Sequence, residues 1–199
     1  MAADDRRDVR VRPVIAECLD DVADLFGSNG TTRGCWCMYF IATRAEYSAG
    51  WKGPGNRTSF ETLARASDTP IGLLAYRDGT PIGWCAVGPR SRYERTLGPR
   101  VRILAGRDRA EDDTVWLVPC FFVRVGERGH GVTRALLDAA VELARSHGAP
   151  AIEGFPRSAG QPPSPDDYLG REETFAESGF RCIARPTPRR AVMRRDLVG

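Results

Sequence analysis

The chain has 199 residues and a mass of 21.9 kDa, a length that suits one domain spanning residues 1–199 and leaves little for a second core. With 42% apolar and 28% charged residues it reads as ordinary globular material, which argues against a disordered tail or a membrane-embedded protein. Twenty-nine basic against 26 acidic residues leave only +3, too little for a dedicated nucleic-acid binder.

The start, Met1 to Arg12, is charged and lacks the apolar core of a secretory signal, so the expected location is the cytoplasm. Val9 and Val11 alternate with Arg10 and Arg12 and predict a short strand with one wet face. Leu19, Val22, Ala23 and Phe26 recur at helical spacing opposite Asp20, Asp21 and Asp24, with Gly27 placed to end the helix. Ser28 to Asn56 has no clear period and is compatible with a helix and a loop. Thr58 and Glu61 have the spacing of a capping box ahead of Phe60, Leu63 and Ala64. Two apolar runs between Ile71 and Val87, split by Asp78-Gly79, predict a hairpin.

Arg90 to Arg109, rich in arginine and weak in period, reads as a solvated excursion. The dense run Val115 to Val123 predicts a strand buried on both faces and central in a sheet. Val132, Ala135, Leu136, Ala139, Ala140 and Leu143 define the strongest helix, closed near His147-Gly148. A strand at Ala151 to Phe155, a loop at Pro156 to Pro165, a short helix at Glu172 to Glu177 and two strands, Phe180 to Ala184 and Ala191 to Asp196, complete the chain.

Six cysteines are scattered, with only Cys35 and Cys37 close together. No second C-x-x-C or histidine pair accompanies them, so no metal is expected and free thiols are the simplest reading. Lys52 is the only lysine, so arginine abundance reflects genome composition more than function.

The chemistry-bearing unit is a strand, then Val125-Gly126-Glu127-Arg128-Gly129-His130-Gly131-Val132-Thr133, then a helix. Glycines let successive N–H groups converge, and the helix adds its unpaired amides and positive dipole end, which suits a pyrophosphate. The ribose-binding acid of a dinucleotide fold and the Lys-Ser/Thr pair of a Walker loop are both missing. A merely tight strand-to-helix turn is the plain structural alternative.

In "RGHGVTRALL", Arg128, Gly131 and Thr133 stand at the three positions of the Arg/Gln-x-x-Gly-x-Gly/Ala signature, and "ESGFRCIAR" from Glu177 repeats a Gly-Phe turn into a strand. In these motifs the sequence resembles the GNAT superfamily of acyl-CoA-dependent N-acetyltransferases, with Thr133 departing from the usual small residue. The resemblance implies an α/β (α+β) fold: a mixed, mostly antiparallel central sheet flanked by helices, with a splayed central strand pair. It also implies acetyl transfer from acetyl-CoA to a primary amine of a small molecule. A protein lysine or N-terminus as acceptor, or a catalytically silent acyl-CoA-binding module, are the alternatives.

The resemblance places acetyl-CoA on Phe121, Phe122, Val123, Val125, Arg128, Gly129, His130, Gly131, Val132 and Thr133. Many relatives carry a general-acid tyrosine four residues before the glycine of the Gly-Phe turn, where this chain has Phe175, so Tyr168 is the substitute candidate. The central strand has no glutamate, which makes Glu153 on the next strand the candidate base, with an ion pair to arginine as the equal alternative. Trp36 and Tyr39, from an early region rich in large rings, are the candidate acceptor wall. The partners expected are acetyl-CoA and an amine, with no nucleic acid and no membrane, and a homodimer is left open.

Overall fold

The apolar run ahead of the glycine turn becomes the middle of a seven-stranded sheet in a computed structural model that describes residues 9–27, 30–98, 101–162 and 168–197. Strand β1 (Arg10–Pro13) is followed by helices α1 (Leu19–Gly27), α2 (Gly30–Cys35), α3 (Arg44–Gly50) and α4 (Gly55–Ala66). The hairpin β2 (Gly72–Arg77) and β3 (Thr80–Pro89) precedes the short α5 (Glu94–Leu97) and then β4 (Trp116–Val123). Helix α6 (Val132–Ser146), β5 (Ala151–Gly154), α7 (Glu172–Glu177), β6 (Arg181–Thr187) and β7 (Arg190–Asp196) follow. The sheet runs β1-β2-β3-β4-β5-β7-β6, with β4 and β5 parallel and the other neighbours antiparallel. This is the mixed, mostly antiparallel sheet flanked by helices that the resemblance implies.

Alternation along β4 feeds two cores. Val118, Phe121 and Val123 pack with Leu136, Leu137, Ala140 and Val141 of α6, while Leu117, Cys120 and Phe122 face Val22, Phe26, Trp36 and Phe60 of the early helices. The phase slips by one residue because Val87 stands opposite both Val118 and Pro119, between the pairs Ala86↔Cys120 and Gly88↔Leu117. Pro119, lacking an N–H, thus sits in a β-bulge, where a central strand tolerates it.

Beyond Val118 the central strands part. Strands β4 and β5 pair at Trp116↔Ile152, Leu117↔Glu153 and Val118↔Gly154, and β5 then ends while β4 runs on to Val123. Because Arg124 N–H donates to Ile82 O at 2.9 Å, alternate residues Phe122 and Cys120 also turn their backbone groups toward β3. The amides and carbonyls of Phe121 and Val123 therefore face the opening.

Two local expectations are corrected. The capping box is not at Thr58 and Glu61: α4 begins at Gly55, and Glu61 instead accepts from Arg57 at 2.7 Å. It is at Thr43, whose hydroxyl accepts from Glu46 N–H while Glu46 accepts from Thr43 N–H, at the start of α3. Nor is Arg90 to Arg109 simply a solvated excursion, although Pro99 and Arg100 lie outside the described residues. Arg90, Tyr93, Thr96 and Leu104 are buried, and Arg92 donates to Val87 O, Pro70 O and Thr69 Oγ1. A planar five-donor guanidinium enters the interior when carboxylates and carbonyls meet it. The expected loop Pro156 to Pro165 is described as far as Pro162, and its last three residues lie outside. Among the described residues no helix is long and apolar enough to cross a membrane.

Candidate active site

The turn after β4 is built as an anion-accepting corner. A 3₁₀ turn, Val125–Glu127, is followed by Gly129 at φ +82° and Gly131 at φ +77°, and Gly131 is the N-cap of α6 with no side-chain cap. The first amides of a 15-residue helix thus face outward without a capping side chain. Glu127 is tied to Arg77 of β2, which takes its carboxylate out of competition for those amides. Arg128 Nε donates to Val123 O at 3.1 Å, fastening the turn to the open edge of β4.

Beside this corner lies a cavity of about 920 Å³. Its lining joins three groups: Arg128 and Thr133 at the turn, Cys120 to Val123 on the splayed part of β4, and an aromatic wall that includes Tyr39, Tyr47 and Trp51. Tyr168, Gly170, Arg171 and Thr174 line it from the side of α7. Of the residues expected from sequence, Phe121, Phe122, Val123, Arg128, Thr133, Tyr39 and Tyr168 are therefore brought together. Val125, Gly129, His130, Gly131 and Val132 form the adjoining turn and helix start; Val125 is 70% exposed and Val132 packs into the core.

Trp36 and Glu153 are elsewhere, and both expectations are corrected. Trp36 is buried against Phe26 and Phe60, edge-to-face at 5.5 and 5.9 Å, and does not line the cavity. Trp36 and Cys37 both adopt left-handed backbone, φ +45° and +53°, which sends the indole inward while Cys35 and Cys37 line the cavity. Glu153 is also buried away from the lining; its two oxygens accept from Arg90 Nη1 and Arg194 Nη1, each at 3.0 Å. This is the geometry of the ion-pair alternative for Glu153. Phe175, at the place of the relatives' tyrosine, is fully buried between Phe121 and Phe180.

Sequence reasoning did not find the thiol floor of the cavity. Trp84 Nε1 donates to Cys37 Sγ at 3.1 Å. The Cys120 thiol is held above the usual range by its hydrogen bond to Cys37 and by burial, and Cys35 by burial and the neighbouring Cys37. Cys35 and Cys120 therefore stay protonated near neutral pH. Cys120 and Phe122 lie on one strand face and Cys35 and Cys37 flank Trp36, but only the folded chain shows that Cys120 meets Cys37. Among the described residues no group of three or more His, Cys, Asp or Glu is placed to hold a metal ion.

The acetyltransferase (GNAT) family matches residues 36–162, well over half of the chain. The chain belongs to the GNAT acetyltransferase family. It is therefore an acyltransferase, and solved structures agree in fold. The GNAT domain of S. lividans PAT superposes with a TM-score of 0.56 at 18% identity, over 95% of this chain and 90% of that one. The PaiA N-acetyltransferase from Thermoplasma acidophilum, solved in complex with coenzyme A, gives 0.53 at 10% identity over 94% and 98%. The putative acetyltransferase YncA from Salmonella typhimurium, solved with acetyl-CoA, gives 0.53 at 12% identity over 96% and 95%. Among curated proteins, none matches the chain in sequence.

Proposed function

We propose that this enzyme transfers the acetyl group of acetyl-CoA to a primary amine of a small molecule. The observation that carries the reading is the single cavity running between the uncapped start of α6, the open edge of β4 and the aromatic wall. The fold neighbours solved with coenzyme A and acetyl-CoA support acetyl-CoA as the donor.

In this reading the pyrophosphate lies on the amides of Arg128 to Thr133, where the start of α6 and its dipole favour negative charge. The pantetheine arm runs along β4 and pairs with the Phe121 carbonyl and the Val123 N–H, in place of the strand that β5 does not supply. The amine nitrogen attacks the thioester carbon, and the oxyanion of the tetrahedral intermediate meets Phe121 N–H, which the register turns toward the opening. Collapse breaks the C–S bond. Tyr168, which lines the cavity and is 37% exposed, donates a proton to the departing sulfur in this reading. The amine enters as its free base, and the proton it loses on acylation passes to solvent.

Incubation of the purified chain with acetyl-CoA and a panel of primary amines, read by mass spectrometry, tests the reading. Acetylated amine and stoichiometric free CoA are expected. Tight acetyl-CoA binding with no product from any amine or peptide would favour the silent binding module instead.

A further inference from the structure

The aromatic wall is a built surface, not surplus core. Large rings in the interior, such as Trp84, Phe26 and Phe60, are fully buried, whereas Trp51 and Tyr39 remain 39% and 38% exposed while lining the cavity. Trp51 nonetheless has a dedicated seat. Its indole lies so close on Gly34 that a Cβ there would stand 2.8 Å from Cε2. Buried Asn56 donates to Gly34 O at 2.8 Å and Tyr47 O at 3.2 Å, tying together the two segments that bear the rings.

The rings form a ladder. Tyr39 meets Tyr47 at 5.3 Å with an interplanar angle of 85°, and Tyr47 meets Trp51 at 5.5 Å and 58°. Rings that meet edge-on or tilted at such distances attract a further ring by the same interaction. Arg95 stands over Tyr39 at 4.2 Å and Tyr47 at 5.4 Å and donates to Tyr39 O at 3.0 Å, so fixed positive charge backs the wall. The charged side chains among the described lining residues, Arg128 and Arg171, are also cationic. Such a site disfavours an acceptor carrying a second ammonium and favours a flat, apolar body.

We infer that the acceptor is an aromatic primary amine whose ring docks on Trp51, Tyr47 and Tyr39 with its nitrogen directed at the splayed end of β4. This rests on the acetyl-transfer reading and adds the substrate class to it. An N–C bond forms to the acetyl carbon, the C–S bond breaks, and the nitrogen's proton is balanced by one gained at the CoA sulfur.

The test compares kcat/KM for 2-phenylethylamine, putrescine and a lysine-containing peptide at saturating acetyl-CoA, with donor binding followed separately by thermal shift. The expected result is a preference of roughly tenfold or more for 2-phenylethylamine. Trp51→Leu and Gly34→Ala, which remove or displace the same ring, should each raise its KM several-fold, as loss of one aromatic contact implies, with acetyl-CoA binding unchanged. Two variants acting on one ring from different positions keep the test valid if either fails to fold. Equal or better use of putrescine or the peptide, or an unaltered KM in the folded variants, overturns this inference alone. A normal donor shift without transfer to any of the three overturns it together with the transfer reading, and absence of the donor shift overturns the donor site as well.

Discussion

Arg90 and Glu153 form a buried ion pair at 3.0 Å across the paired end of the β4–β5 junction, where Glu153 also accepts from Arg194 and Asp112 Oδ1 lies 3.1 Å from Arg90 Nε. The pair clamps the strands at the end opposite the splay, so that the opening is confined to residues after Val118. Removing Arg90 takes the donor from one oxygen of the buried Glu153 carboxylate, leaves Arg194 as its remaining partner, and empties a fully buried guanidinium site. Arg90→Ala should lower the unfolding free energy by about 3–5 kcal/mol, read by urea denaturation; a loss below about 1 kcal/mol, the range of exposed pairs, would contradict the clamp.

Glu153→Gln separates the clamp from chemistry. The account expects an unchanged pH profile and an acetyl-transfer rate per folded molecule within a few-fold of the parent. A fall of about 100-fold or more, typical for loss of a general base, would return Glu153 to the mechanism.

Tyr168→Phe removes the hydroxyl at the cavity and leaves the ring. The expected outcome is a kcat lower by about 100-fold, the lower end for a lost general acid, with acetyl-CoA binding unchanged. Steady-state kinetics with unaltered kcat would assign proton donation to solvent.

Acid sensitivity has an identifiable contributor in Glu172, at the start of α7. Its carboxylate accepts from Arg185 and from Ala159 N–H, and these bonds hold it below the ordinary glutamate value of 4.5. A depressed folded value means that the stabilisation is complete above the ordinary value and disappears as pH falls through the lowered one. Between pH 5 and pH 3 the parent should therefore lose more Tm than Glu172→Gln; parallel losses would show that other carboxylates dominate.

Much of the architecture was legible because period and punctuation agree: Val132 to Leu143 carries a helical stripe closed by His147-Gly148, and Asp78-Gly79 splits two apolar runs. The glycine turn was legible for the same reason, since Gly129 and Gly131 occupy the left-handed conformations that such a turn needs. The rest depended on contacts between distant segments. Nothing local says that Arg90 meets Glu153, 63 positions away, so a buried clamp read as a solvated stretch. Trp36 and Tyr39 look alike in composition, but the left-handed Trp36-Cys37 step sends one ring to the core and leaves the other at the cavity. The Thr58 spacing fits a cap as well as Thr43 does, and Pro54 and Gly55 decide between them by starting α4 earlier.

The thiols should separate by exposure. Cys182 is exposed, whereas Cys85 is held protonated by burial and Cys120 by its bond to Cys37 and burial. Maleimide labelling near neutral pH followed by peptide mapping should modify Cys182 first and the cavity thiols slowly, with acetyl-CoA slowing Cys120 further. Rapid labelling of Cys120 unaffected by acetyl-CoA would contradict the placement of the donor beside it.

The donor site at Gly131 is the central claim, and thermal melting with and without acetyl-CoA tests it most directly. At about 100 times its dissociation constant the ligand should add roughly 2.7 kcal/mol of stability and raise Tm by several degrees. Gly131→Ala, which brings the strain of a Cβ at positive φ, should melt lower yet keep the shift, whereas Gly131→Glu, which also sets a carboxylate against the pyrophosphate, should lose it. A shift of parental size in Gly131→Glu, or no shift in the parent at millimolar acetyl-CoA, would contradict the account.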